Sequence, residues 1–347
     1  MPDFTIPGLT SVSFNEDTPQ RELALPSRLE GSSPRGYHFI NGFRECPRMF
    51  AFKWLLGLEP QGKKSALALG SLIHLTQEIY IRQRLVEGKS QREALVIPDD
   101  ELNLDENLPV DSFDSPAARN SAFQGVAVLL QQWAEQFEKD ILEMRILSAE
   151  EEYRLDLEVP VPDDRHSVTI QLTGRVDRVF QKRTTGAVLG IDTKSTSNKY
   201  AETVKENAVA TDQFSMYTML LGPRYPESVT WAIDVCAWKS QRFERSDEFV
   251  VPTEHVEGFK EGLKRSWSDV ILTLESWEDF LHEVGDSDPA RLSKFFEFNF
   301  PRYPSKCQLF GCEYAGICRQ GAHSYGCEVS GFKRYAPLKA ADLFLRD

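Results

Sequence analysis

The chain has 347 residues, 41% of them hydrophobic and 27% charged, with a net charge of −13. This is globular composition, enough for one large domain or two modest ones; the acidity argues against a nonspecific polyanion binder but leaves room for a local basic groove. No stretch nears the ~20 apolar residues that span a bilayer, and the start MPDFTIPGLTSVSFNEDTPQ has neither a basic head nor an apolar run, so a cytoplasmic protein without membrane contact is expected.

Residues 1–36 are rich in Pro, Ser, Gly and charge and read as extended or disordered. Cys46 followed by Pro47 marks a helix start, and Phe50, Phe52, Trp54, Leu55 and Leu58 supply its apolar surface. A second helix is expected over residues 65–88, ending near Gly88, then a loop over 95–118 and a long amphipathic helix over 118–147. The period switches to two in EEEYRLDLEVPV, where Tyr153, Leu155, Leu157 and Val159 share a face. Strands near 167–173, 175–181 and 187–194 come next, followed by a helix near 200–221, a strand in SVTWAIDVCAWK, a helical insertion near 253–283 and a tail over 326–347. This order predicts an α/β fold, a small mixed sheet flanked by helices, as one domain over 37–325.

The segment GRVDRVFQKRTTGAVLGIDTKSTS (174–197) places Asp177, Asp192 and Lys194 in strands rich in Val, Ile, Leu and Phe. If RTTG (183–186) is a four-residue hairpin loop with Gly186 at positive φ, the register puts Asp177 directly across from Asp192. Cross-strand partners share a face with Cβ atoms about 4.5–5.5 Å apart. Lys194, two residues on, shares it too. A three- or five-residue loop would shift the pairing by one, and a solvated strand face is the plain alternative. Two adjacent carboxylates repel unless a cation lies between them or one is protonated. A hard divalent ion such as Mg²⁺ resolves the conflict, and a lysine beside it can orient a water or stabilise charge on a phosphate.

GRVDRVF and GIDTKS resemble the G-x-x-D and D-x-K motifs of PD-(D/E)XK nucleases, in particular the RecB-like branch. That resemblance implies a restriction-endonuclease-like core and a Mg²⁺- or Mn²⁺-dependent deoxyribonuclease. Asp177, Asp192 and the Thr193 carbonyl would hold the metal, with Lys194 catalytic. GSLIHLTQEIY resembles the helix that supplies a histidine ligand, which implies that role for His74. QFSMY resembles the branch's Q-x-x-x-Y motif, placing Gln213 and Tyr217 on one helix face within reach of substrate or lysine. The family's further acidic residue, on the preceding strand, is assigned to Glu151 over Glu150 and Glu152, because Glu151 shares the face of Tyr153 and Leu155.

Six cysteines include a cluster at Cys307, Cys312, Cys318 and Cys327, with Cys46 and Cys236 far away. In a reducing compartment such a cluster suggests metal more than disulfides. Four thiolates suit a [4Fe–4S] cluster or tetrahedral Zn²⁺. Resemblance to RecB-like nucleases of the AddB and CRISPR-adaptation types implies the iron–sulfur cluster, on Cys46, Cys307, Cys312 and Cys318, with Cys327 the substitute for Cys307. It would clip the N-terminal helix to the C-terminal segment across about 260 residues of chain. The resemblance further implies DNA as substrate, as single strands or duplex ends, and a helicase, recombination or CRISPR partner. A noncatalytic DNA-binding or assembly subunit and a zinc-stabilised interaction protein are the competing readings.

Overall fold

The computed structural model describes residues 36–60, 65–102, 113, 115–161, 167–196, 204, 206, 211–284, 289–301, 312–320 and 332–334. Its chain divides into two compact units, one of residues 62–154 and 174–259, the other of 1–61, 155–173 and 260–347.

The first unit carries helices α2 (Ser65–Ile81), α3 (Pro116–Leu142) and α4 (Gln213–Leu221). The strands are β2 (Met144–Pro160), β3 (Ser167–Lys182), β4 (Val188–Thr196), β5 (Thr230–Ala237), β6 (Arg242–Arg245) and β7 (Phe249–Val250), of which β2 and β3 run on into ranges of the second unit. The sheet order is β2-β3-β4-β5-β6, with β7 also on β5. β3–β4 and β5–β6 are antiparallel and β4–β5 is parallel, so the sheet is mixed, as expected. A parallel pair needs a crossover, and α4 lies in it.

Alternation along the strands builds two faces. Phe180, Leu189, Ile191, Ala232 and Cys236 form one, packed in a common core with Leu72 and Ile73 of α2 and Leu129 and Trp133 of α3. Cys236 is fully buried there, its thiol pushed up to about 12 by burial, so it acts as a small apolar residue. Trp231 belongs to the opposite face and meets Phe214 and Tyr217 of α4, with ring centroids 5.3 and 5.6 Å away.

Two boundaries differ from expectation. The long helix stops at Leu142 because buried positions begin to alternate at Met144, where β2 starts. Residues 167–182 are one strand, since a lone glycine does not break a strand with partners. Of the helix expected near 200–221, Gln213–Leu221 is present, and most of 197–210 lies outside the described residues. The N-terminal residues 1–35 lie outside them as well.

The second unit begins with α1 (Tyr37–Glu45); Cys46 follows in extended conformation, and Pro47 opens a helical turn, Pro47–Phe50, that widens into a π turn over Ala51–Leu55. β1 (Leu58–Pro60) comes next. Helices α5 (Thr253–Val284, from residue 260 in this unit), α6 (Pro289–Asn299) and α7 (Ala315–Gln320) and strand β8 (Phe332–Arg334) complete it. No described helix is long and apolar enough to cross a membrane. Arg48 is buried and donates to the carbonyls of Phe296 (3.1 Å) and Phe300 (2.6 Å) and to Glu297 Oε1 (2.9 Å), satisfying carbonyls at the end of α6. Phe52 stacks on Tyr314 at 5.8 Å, the Tyr314 hydroxyl donates to the Leu58 carbonyl, and β1 pairs with β8. The segment after Cys46 is therefore fastened to the segment between Cys312 and Cys318.

Candidate active site

The hairpin between β3 and β4 turns over residues 183–186. The Lys182 amide donates to Ala187 (2.9 Å), the Gly186 amide donates to Lys182 (2.8 Å), and Gly186 has φ of 75°, where a Cβ would be strained. Pairing runs from Gln181–Val188 to Arg178–Ile191. One step further, Asp177 comes opposite Asp192. There the carboxylate replaces the ladder: Asp177 Oδ2 accepts from the Thr193 amide at 2.6 Å.

Asp192 is 1% exposed. Lys194 Nζ forms an ion pair with Asp192 Oδ2 at 2.8 Å, although its approach is not aligned as a directed hydrogen bond. Burial pushes the Asp192 carboxyl up, Lys194 opposes this, Asp177 adds to it, and the carboxyl stays above its ordinary range. Lys194 Nζ also donates to Gln213 Oε1 at 3.1 Å, and Gln213 Nε2 donates to the Tyr217 hydroxyl at 2.7 Å. Gln213 and Tyr217, one helical turn apart, thus lead from the lysine into the core. Tyr217 is backed by the Trp231 ring, which crosses the strand at Gly190: a Cβ there would fall 2.4 Å from the indole.

His74 Nδ1 on α2 lies 3.3 Å from both Asp177 Oδ2 and Glu150 Oε1. Burial opposes charge on the imidazole, but Asp177 and Glu150 outweigh it and raise His74 to about 10. Burial pushes the Asp177 carboxyl up, but His74, the Thr193 amide and Arg178 together outweigh it and hold the carboxyl below its ordinary range. The ligand atoms of His74, Glu150 and Asp177 lie within 4.8 Å of one another. Two carboxylates and an imidazole, next to the buried Asp192 carboxylate that Lys194 pairs with, form a donor set that fits a hard divalent cation. Asp192 is not in the group of three, and the Thr193 hydroxyl is bonded elsewhere, to Gln77 and Arg178.

Of the acidic residues on β2, Glu150 meets His74, and Glu151 does not. Glu151 pairs instead with exposed Arg224 at 2.7 Å. Counting in twos from Tyr153 fails because Glu150 has φ of +49°, a left-handed residue that inserts one position into the strand. Buried positions are Met144 and Ser148 before it and Tyr153, Leu157 and Val159 after it, so the phase slips from even to odd. Only the burial phase on both sides of the bulge would have revealed this.

A second group had no motif to mark it. Asp234 of β5 is fully buried and accepts from Arg245 Nε (2.6 Å) and Nη2 (3.0 Å), from Arg178 Nη2 (3.3 Å) and from Trp133 Nε1 (3.3 Å). Its available signal was a charged residue inside the apolar run AIDVC.

Cys46, Cys312 and Cys318 all belong to the second unit, the first and last buried and Cys312 half-buried. Cys307 and Cys327 lie outside the described residues.

A search of curated proteins finds no match to this chain. The family comparison does: the model of the PD-(D/E)XK nuclease superfamily covers residues 38–319, from α1 to α7 and across the whole site just described, and the chain belongs to that superfamily.

Proposed function

We propose that the protein is a divalent-metal-dependent deoxyribonuclease, acting as an exonuclease on single strands or duplex ends. The observation that supports this most is the meeting of Asp177, Asp192 and Lys194 with His74 and Glu150 across β2, β3 and β4. His74, Glu150 and Asp177 would hold Mg²⁺ or Mn²⁺, with Asp192 and the Thr193 carbonyl as neighbouring oxygen donors. Such an ion supplies Lewis acidity and a water of lowered pKa. Asp192 and Gln213 aim the Lys194 ammonium, which orients the attacking water and takes up charge developing on the phosphate oxygens. Tyr217 holds Gln213 in place. As in the superfamily, products would be a 5′-phosphate and a 3′-hydroxyl. End-labelled single- and double-stranded DNA, incubated with anaerobically purified protein and Mg²⁺ or Mn²⁺, tests this: ladders or mononucleotides with 5′-phosphates support it, and products ending in 3′-phosphates contradict it.

His74→Ala and Glu150→Gln are expected to raise the metal concentration needed for half-maximal cleavage by about 10-fold or more, while Glu151→Gln leaves it near wild type. Metal titration of the cleavage rate checks this; a stronger effect from Glu151→Gln would reverse the assignment on β2.

We infer further that Cys46, Cys312 and Cys318, with Cys307 or Cys327, hold a [4Fe–4S] cluster in the manner of RecB-like nucleases. The support is that the three described thiols share one unit, in which the Cys46 segment is fastened through Phe52, Tyr314 and Leu58 to the Cys312–Cys318 segment. The cluster would be structural. Anaerobically purified protein should be brown with about four irons per chain, and Cys46→Ser should lose iron and solubility. Stoichiometric zinc without iron would refute it and favour a zinc-stabilised scaffold.

A further inference from the structure

Behind the site, on the other side of β4, a buried polar circuit joins α2 to the strand that carries Asp192 and Lys194. Gln77 is 3% exposed, and its Oε1 accepts from the Thr193 hydroxyl at 3.1 Å and from Arg178 Nη1 at 3.2 Å. The amide orientation follows from chemistry: a guanidinium has only donors, so the atom facing it is the oxygen. The Thr193 hydroxyl uses both its capacities, donating to Gln77 and accepting from Arg178. Arg178 in turn is anchored by Asp234, which Arg245 grips with two nitrogens.

Gln77 lies three residues after His74, on the same side of α2. Both reach Thr193, by different routes. Gln77 touches the hydroxyl directly, and His74 meets Asp177 Oδ2, the same atom that accepts the Thr193 amide. Helix, threonine and aspartate therefore close a ring of polar contacts. The ring is also incompletely satisfied: Gln77 Nε2 and Arg178 Nε are buried without partners. Leaving two donors unpaired is costly, and an apolar residue at 77 would avoid one of them. That a glutamine stands there points to a role beyond packing.

We propose that Gln77 is a positioning residue, a latch that holds the helix bearing His74 in register with the strand bearing Asp192, Thr193 and Lys194. The proposal rests on the metal-dependent reading of the site. Gln77 touches neither metal nor substrate; it fixes where the imidazole stands relative to Asp177. Groups that orient a metal ligand in this way influence metal affinity by about 10- to 100-fold.

The test is Mn²⁺ binding to DNA-free, full-length protein, followed by electron paramagnetic resonance, with a thermal melt of each variant. Gln77→Leu, similar in size without the acceptor, should weaken Mn²⁺ binding by about 10-fold or more. Gln77→Glu keeps an acceptor for Thr193 and Arg178 and should remain within about threefold of wild type, even if both variants shift the melt. Should Gln77→Leu not fold, Thr193→Val removes the same bond from the other side and should weaken Mn²⁺ likewise. Wild-type Mn²⁺ affinity in Gln77→Leu, or in Thr193→Val where the first does not fold, overturns the latch. Wild-type protein that binds Mn²⁺ and leaves DNA intact strikes the nuclease reading alone, with the latch still decided by its variants; wild type that binds no Mn²⁺ overturns both.

Discussion

Lys194→Ala, and separately Asp192→Asn, should lower the DNA cleavage rate by about 10³-fold or more while the protein keeps its secondary structure. The lysine is 30% exposed in its side chain and its contacts are to Asp192 and Gln213, so removing it opens no core cavity. Asp192→Asn keeps the shape but removes the charge from a buried oxygen that has no directed hydrogen bond. The two variants should differ in one respect. Asp192→Asn should also need more metal, whereas Lys194→Ala should lose rate at unchanged metal demand, since the lysine is no ligand. Single-turnover rates against Mn²⁺ concentration separate the two. Residual cleavage in Lys194→Ala within tenfold of wild type, at saturating metal, would remove the lysine from the mechanism.

The second large effect concerns stability. Asp234→Asn leaves Arg178 and Arg245 side by side without their shared counter-charge, their side chains 3% and 16% exposed. Breaking a buried ion pair from one side costs about 3–5 kcal/mol, because a charge stays buried unpaired. A chemical-denaturation midpoint would show it. Burial alone would raise the Asp234 carboxyl, but Arg245 and Arg178 outweigh burial and hold it below the ordinary range. A depressed carboxyl stabilises the fold above its unfolded pKa of about 3.9, and that stabilisation is lost as pH falls through the folded value. Wild type should therefore lose stability below about pH 4 more steeply than Asp234→Asn does. Parallel acid limbs in the two proteins would mean that the pair contributes nothing measurable.

The sequence disclosed the hairpin because two short-range rules agree there. Gly186 takes the positive φ that fixes the loop length, and strand alternation then determines which residues face each other. Neither rule needs knowledge of the rest of the chain. His74, Gln213 and Tyr217 came through motif order, since nothing local says that α2 and α4 reach the same pair of strands. Glu150 was missed for a physical reason: alternation presumes a regular strand, and one left-handed residue breaks the count. The Arg178–Asp234–Arg245 group was illegible because its members lie on three strands with no shared motif. Each was visible only as a charge where a hydrophobe was expected. Asp177 and Asp192 carry that same anomaly, and what separates them from Asp234 is the partner: opposed carboxylates call for a cation, whereas a carboxylate between guanidiniums is already neutralised.

The central claim is that these carboxylates and the lysine serve metal-dependent DNA hydrolysis. The most direct measurement is cleavage of end-labelled DNA by wild-type protein with Mg²⁺ or Mn²⁺, with chelator, and beside Lys194→Ala purified in the same way. The expected result is cleavage that needs the metal, stops with chelator and is absent from the variant. DNA left intact at stoichiometric protein with either ion, or cleaved equally by wild type and Lys194→Ala, would contradict it.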